Sequence, residues 1–172
     1  MIIFTDGSSK GNPGPGGFGV VVLDDNENLI LTHSEKSKNT TNNREELKAI
    51  LWAFLKYGEP AAAGPPPIVR SDSAYCVNTF TSWMFSWEQR GWKKSDNTKP
   101  ENLDLIIPFF NYWQKGYRIE LQKIRGHANN KWNDLADQLA KGEITNKCCK
   151  IKMEYISGNT LQINQNRTHM KN

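Results

Sequence analysis

The alternation of apolar and polar residues divides the chain into short strands and amphipathic helices. Residues 1–6 (MIIFTD) read as a strand in which apolar and β-branched residues lead to one aspartate, Asp6. Residues 7–17, rich in glycine and proline, read as a loop. Phe18 to Leu23 (FGVVVL) is a second strand, Asp24-Asp25-Asn26 a turn, and Leu29 to His33 a third strand. Residues 34–42 read as polar loop, and Asn43 to Tyr57 has helical periodicity. Beyond an Ala/Pro segment at 59–67, Ile68 to Asp72 is a short strand that again ends in an aspartate. Residues 74–89 and 101–115 read as helical, Tyr117 to Ile124 alternates as a strand, and Lys131 to Lys141 is a last helix.

This order predicts an α/β domain built on a five-stranded mixed sheet. The first three strands form an antiparallel meander, and the strands at 68 and 117 lie parallel to the first because helical crossovers reach them. The domain spans residues 1–142, and 143–172 form a tail. Lys150 to Ile163 alternates around Ser157-Gly158-Asn159, so the tail is either a hairpin or, like many polar termini, without fixed structure.

Helical geometry sorts the carboxylates. Leu47, Ile50, Leu51, Phe54 and Leu55 form one stripe; Glu46 falls roughly 110° from its centre and Glu45 roughly 150°. Glu46 is thus at the border of core and solvent, while Glu45 points outward and completes a capping box with Asn42. In the last helix Trp132, Leu135, Ala136, Leu139 and Ala140 form the stripe; Asp137 lies roughly 130° from it and Asp134 nearly opposite. Asp6 and Asp72 end parallel strands, so Asp6, Glu46, Asp72 and Asp137 converge on one end of the sheet. The plainer alternative for Asp72 is a cap for the helix that follows. Four like charges in one place need a counterion, and oxygen-only donors suit Mg²⁺ or Mn²⁺. Two such ions about 4 Å apart clamp the attacking and leaving oxygens of a phosphodiester displacement. His127, in the loop before the last helix, adds a group that titrates near neutral pH.

Charge and cysteine content change this picture little. Net charge is +4, but residues 143–172 hold five Lys/Arg and two Asp/Glu, leaving the domain with 17 basic and 16 acidic groups. Any nucleic-acid contact must therefore come from clustered cations. Cys76, Cys148 and Cys149 are an odd set with two adjacent, which argues for a reducing compartment. With no signal-peptide pattern and no apolar run of membrane-spanning length, the expectation is a cytoplasmic, monomeric protein without membrane contact.

The motifs taken together resemble the type 1 ribonuclease H family. They are FTDGS at 4–8, GNPGPGG at 11–17, TTNNREEL at 40–47, SDSAY at 71–75, WMFSWEQRGWK at 83–93, RGHANN at 125–130 and NDLADQLA at 133–140. The resemblance implies Mg²⁺-dependent endonucleolytic cleavage of the RNA strand of RNA–DNA hybrids, leaving 5′-phosphate and 3′-hydroxyl ends. It maps the two-metal acidic site onto Asp6, Glu46, Asp72 and Asp137, and a mobile catalytic histidine onto His127. It assigns substrate contacts to Asn12, Asn42 and Asn43, and a basic protrusion to the Trp-rich segment. There Trp83 and Trp87, at helical spacing, read as core, and Trp92, Lys93 and Lys94 as contact residues. Glu88 and Gln89 replace lysines common in relatives, and Ala74 replaces a glutamine common in bacterial members.

Two other readings compete. Gly14-Pro15-Gly16-Gly17-Phe18-Gly19 matches a GxGxxG dinucleotide fingerprint, but that loop must open a helix and here it leads into a strand. A non-catalytic nucleic-acid-binding module of the same fold is the alternative from another class.

Overall fold

The computed structural model describes residues 1–61, 63–126, 129–144, 152–156 and 160–164. Strand β1 (Ile2–Ser9) runs at the centre of the sheet, flanked by β2 (Gly14–Leu23), with β3 (Leu29–Thr40) outside it. Helix α1 (Asn42–Tyr57) crosses to β4 (Ile68–Ser71), which pairs parallel with β1. Two short helices follow, α2 (Ala74–Asn78) and α3 (Met84–Gln89), joined by a π-helical turn at Thr79–Trp83. Then come α4 (Leu103–Gln114), β5 (Glu120–Lys123) and α5 (Lys131–Ala140). The sheet order is β3-β2-β1-β4-β5, antiparallel across β1–β2–β3 and parallel across β1–β4–β5. The predicted five-stranded mixed sheet is the one observed.

The two faces of the sheet build two apolar layers, because successive strand residues point in opposite directions. Ile3, Val20, Val22 and Val69 meet Leu47, Ile50 and Phe54 of α1 and Phe109 of α4. Phe4, Val21 and Leu23 meet Trp132, Leu135, Ala136 and Leu139 of α5. The run FGVVVL is therefore buried on both sides. At Gly19 a Cβ would lie 2.3 Å from the Ala136 carbonyl oxygen, so α5 seats directly on the backbone of β2.

Several boundaries differ from the sequence reading. Strand β1 continues past Asp6, because Gly7, Ser8 and Ser9 pair with Phe18, Gly17 and Gly16. Residues 34–40 are strand rather than loop: β3 is an edge, open to solvent, and polar residues satisfy it without interrupting the ladder. The fifth strand shortens to Glu120–Lys123. The fingerprint-like glycines 14–19 lie inside β2 and open no helix. Trp83 is not core but 41% exposed, its ring beside Tyr75 and Trp87. The π turn holds an extra residue per turn and so breaks the i, i+4 spacing that placed it inside. Residues 152–156 and 160–164 form β6 and β7, an antiparallel pair.

The start of α1 also differs. Its cap is Thr41, whose hydroxyl accepts from the Arg44 N–H at 3.2 Å, and Asn42 is already helical. Glu45 is fully buried, not outward. The first turn of α1 is pressed against β1, where a Cβ on Gly7 would meet Glu45 and Glu46, and this covers a face that a helical wheel leaves open. Glu45 pairs with Lys48 at 2.8 Å, and Lys48 reaches the Ser37 hydroxyl of β3 at 3.0 Å. Arg44 makes a two-pronged ion pair with Asp104, at 2.9 and 2.7 Å, tying α1 to α4. A Thr41→Ala substitution removes the cap and is expected to cost about 1 kcal/mol, read as a lower urea midpoint with an unchanged m-value.

Candidate active site

Four elements end at one edge of the sheet and bring their polar residues into a single cleft of about 360 Å³. Strand β1 supplies Asp6, Gly7 and Ser8; α1 supplies Asn42, Asn43 and Glu46; the turn after β4 supplies Asp72 and Ser73; α5 supplies Asn133, Asp134 and Asp137. Each carboxylate is placed by a local reason. Asp6 follows the buried run Ile3–Thr5, and its Oδ1 accepts from the Gly7 N–H at 3.0 Å. Glu46 is held because α1 packs its first turn onto β1, leaving the side chain 7% exposed. Asp72 directly follows the parallel strand β4 and does not cap α2; that task belongs to Ser73, which accepts from the Cys76 N–H.

The acidic cluster is tight. One oxygen each of Asp6, Glu46 and Asp72 lie within 4.8 Å of one another. Burial pushes the Asp6 carboxyl up to about 7, opposed by a hydrogen bond with Glu46 and reinforced by like-charge repulsion from Asp72 and Asp137. Glu46 is likewise held well above the usual carboxylate range, first by burial and then by Asp6. Its Oε2 is buried without a hydrogen-bond partner among the described residues. Lys48 is engaged away from the cluster with Glu45, whereas Lys141 pairs at 2.9 Å with Asp137 on the cleft wall. The donor set is all carboxylate oxygen, crowded and with an unused buried lone pair, and so fits a hard divalent cation.

The predicted site residues fall into three groups. Asp6, Glu46 and Asp72 come together, and Asp137 shares the cleft wall while paired to Lys141. Asn42 and Asn43 line the same cleft, and Asn12 joins them through Asn42, whose N–H donates to Asn12 Oδ1 at 3.2 Å. The Asn42 side chain accepts from the Ser9 N–H at 2.7 Å, so the asparagines bind the β1–β2 loop to the start of α1. Trp92 packs edge-on against Phe110 with ring centroids 5.3 Å apart, while Lys93 and Lys94 are exposed. His127 lies outside the described residues.

Sequence reasoning missed Asn133, which is 5% exposed and lines the cleft. A usable signal existed: Asn133 precedes Asp137 by four residues and so shares its side of α5. Ser8 and Ser73 also line the cleft and were not singled out.

Comparison with known proteins identifies the family. The RNase H family model matches residues 1–145. A Ribonuclease H of Mannheimia succiniciproducens is 40% identical over 139 residues, covering 81% of this chain and 84% of the relative. One from Thermoanaerobacter sp. (strain X514) is 38% identical over 143 residues, 83% of this chain and 88% of the relative. Among solved structures, LC11-RNase H1 in complex with RNA/DNA hybrid matches with a TM-score of 0.59 at 26% identity, over 81% of this chain and 92% of that one. The fold is thus an α/β sheet of the kind seen in ribonuclease H structures. The chain belongs to the RNase H family. No described helix is long and apolar enough to cross a membrane.

Proposed function

We propose that this protein is a divalent-metal-dependent endoribonuclease that cleaves the RNA strand of RNA–DNA hybrids. One observation carries the reading: three carboxylates from three different elements sit within 4.8 Å, two of them buried and held above their ordinary range. Evolution of a fold around such repulsion makes sense where a cation resolves it, and family membership supplies the reaction class.

Asp6, Glu46, Asp72 and Asp137 would hold two Mg²⁺ ions, or Mn²⁺. Such ions, when bound, supply Lewis-acid stabilisation of phosphate charge and a more acidic water. Hydrolysis forms one P–O bond to water and breaks the P–O3′ bond, leaving 5′-phosphate and 3′-hydroxyl ends. Asn12, Asn42 and Asn43 orient the RNA strand, using amides that pair equally well with 2′-hydroxyls and backbone. Within that set only the 2′-hydroxyl contacts distinguish RNA from DNA, and they do so without reading sequence. Lys93 and Lys94 attract the backbone of the complementary strand, and Trp92 fixes the loop that presents them. His127 is positioned in sequence to carry a proton away from the site. The protein acts as a cytoplasmic monomer in this reading, and residues 143–172 are an appendage to the catalytic domain.

The test is cleavage of end-labelled RNA–DNA hybrid in Mg²⁺ or Mn²⁺, with RNA–RNA and DNA–DNA duplexes alongside. The expected result is cleavage of the hybrid's RNA strand alone, abolished by EDTA. Hybrid binding without cleavage in either metal would instead favour a non-catalytic nucleic-acid-binding module.

A further inference from the structure

Among the described cleft residues, Asn133 is buried with a side-chain oxygen that its own helix leaves unpaired. It sits in the first turn of α5, where Asn130 caps the helix, its Oδ1 accepting from the backbone N–H groups of Trp132 at 2.9 Å and Asn133 at 3.3 Å. The backbone of Asn133 is therefore satisfied. Its side chain is not: Oδ1 is buried with no hydrogen-bond partner among the described residues, in a residue 5% exposed that lines the carboxylate cleft. A buried carboxamide oxygen left alone is destabilising, whereas an apolar residue of the same size is not. Such a group persists where a ligand uses it.

The surroundings restrict what that ligand is. Asp137 lies one turn further along α5, and Asp6, Glu46 and Asp72 share the cleft. Ionised carboxylates only accept hydrogen bonds, and so does the orphan oxygen. The missing partner must be a donor that enters a cluster of negative charge, which is the description of a water carried by a cation.

We infer that Asn133 is a positioning residue for the divalent ion: its carboxamide oxygen accepts a hydrogen bond from a water on the ion that the carboxylates hold. This rests on the metal-site reading above. Groups that hold a metal's water rather than the metal change affinity by about 10–100-fold when removed.

The experiment is calorimetric titration of the substrate-free protein with Mg²⁺ and with Mn²⁺, on the wild type and on Asn133→Leu, Asn133→Asp and Asp6→Asn. Asn133→Leu should bind the ions at least about 10-fold more weakly while its metal-free form melts no lower than wild type. Asn133→Asp keeps an acceptor oxygen in place and should bind at least as tightly as wild type. If Asn133→Leu does not fold, Asn133→Ala carries the same comparison. A Leu or Ala variant with wild-type affinity overturns the inference, and so does an Asp variant as weak as the Leu one. Wild-type protein that binds neither ion overturns the metal-site reading with it. Binding lost in Asp6→Asn but untouched by Asn133→Leu overturns this inference alone.

Discussion

An Asp6→Asn variant should bind RNA–DNA hybrid as the wild type does and cleave it about 10³-fold more slowly or worse. That loss corresponds to about 4 kcal/mol of transition-state stabilisation, the scale expected when a metal ligand is removed. The substitution is nearly isosteric and keeps an acceptor for the Gly7 N–H, which now reaches Asp6 Oδ1 at 3.0 Å. Binding should survive because the asparagines and lysines proposed to hold the hybrid are other residues. Single-turnover rates and gel-shift affinities measured side by side check this. A folded Asp6→Asn protein with full activity would sink the site assignment.

The same variant carries a second, independent signature in the absence of metal. The Asp6 carboxyl is raised from 3.8 to about 7 in the folded protein, mainly by burial. Between those values the unfolded chain has released a proton that the folded chain still holds. Folding stability therefore falls as pH rises through this window, and above about pH 7 the whole penalty is present. At about 1.4 kcal/mol per pH unit, the ceiling is about 4 kcal/mol, and coupling to Glu46 and Asp72 divides it. Asparagine cannot ionise and escapes the penalty. Urea denaturation in EDTA should show Asp6→Asn more stable than wild type by about 1–3 kcal/mol near pH 8, and the difference should vanish near pH 4. Added Mg²⁺ should close the gap by stabilising the wild type through binding. Equal stabilities near pH 8 in EDTA would mean that the carboxylates are not under strain.

Asp6, Glu46, Asp72 and Asp137 were legible in the sequence because their placement follows from local periodicity. Asp6 follows an apolar run in what proves to be the interior of β1, Asp72 follows a parallel strand, and the helical wheel sets Glu46 and Asp137 off the centre of their apolar stripes. What the sequence hid belongs to packing between elements. Glu45 sits on the polar side of its own helix, yet β1 covers that side at Gly7, so it is buried beside Lys48. The outer half of β3 looked like loop because an edge strand needs no apolar face there. Trp83 looked buried because a regular helix was assumed through the π turn at Thr79–Trp83. Asn133 was passed over because an asparagine in a first helical turn is ordinary, although its spacing of four from Asp137 put it on the same side of α5; its burial marks it.

Gly7→Ala should be the most damaging single-methyl change near the site. A Cβ at Gly7 would lie 2.3 Å from the Glu46 nitrogen, 2.5 Å from the Glu45 carbonyl carbon and 2.9 Å from the Glu45 Cβ. Two of these are backbone atoms, so no rotamer change relieves the contact. Helix α1 must lift from β1 at its first turn, which disturbs the Thr41 cap and the buried Glu45–Lys48 pair together. Overpacking of this kind costs about 3 kcal/mol. Glu46 moves with the helix, and a shift of about 1 Å in a reacting centre costs about 100-fold in rate. The expected outcome is thus a large drop in the urea midpoint and, in Mg²⁺ at a temperature where the variant is still folded, about 100-fold slower cleavage. Glycine is required here by contact rather than by backbone conformation, so Gly7→Ser should fail in the same way. Wild-type stability in Gly7→Ala would show that α1 does not rest on β1 at this point, and that Glu46 reaches the cleft by another route.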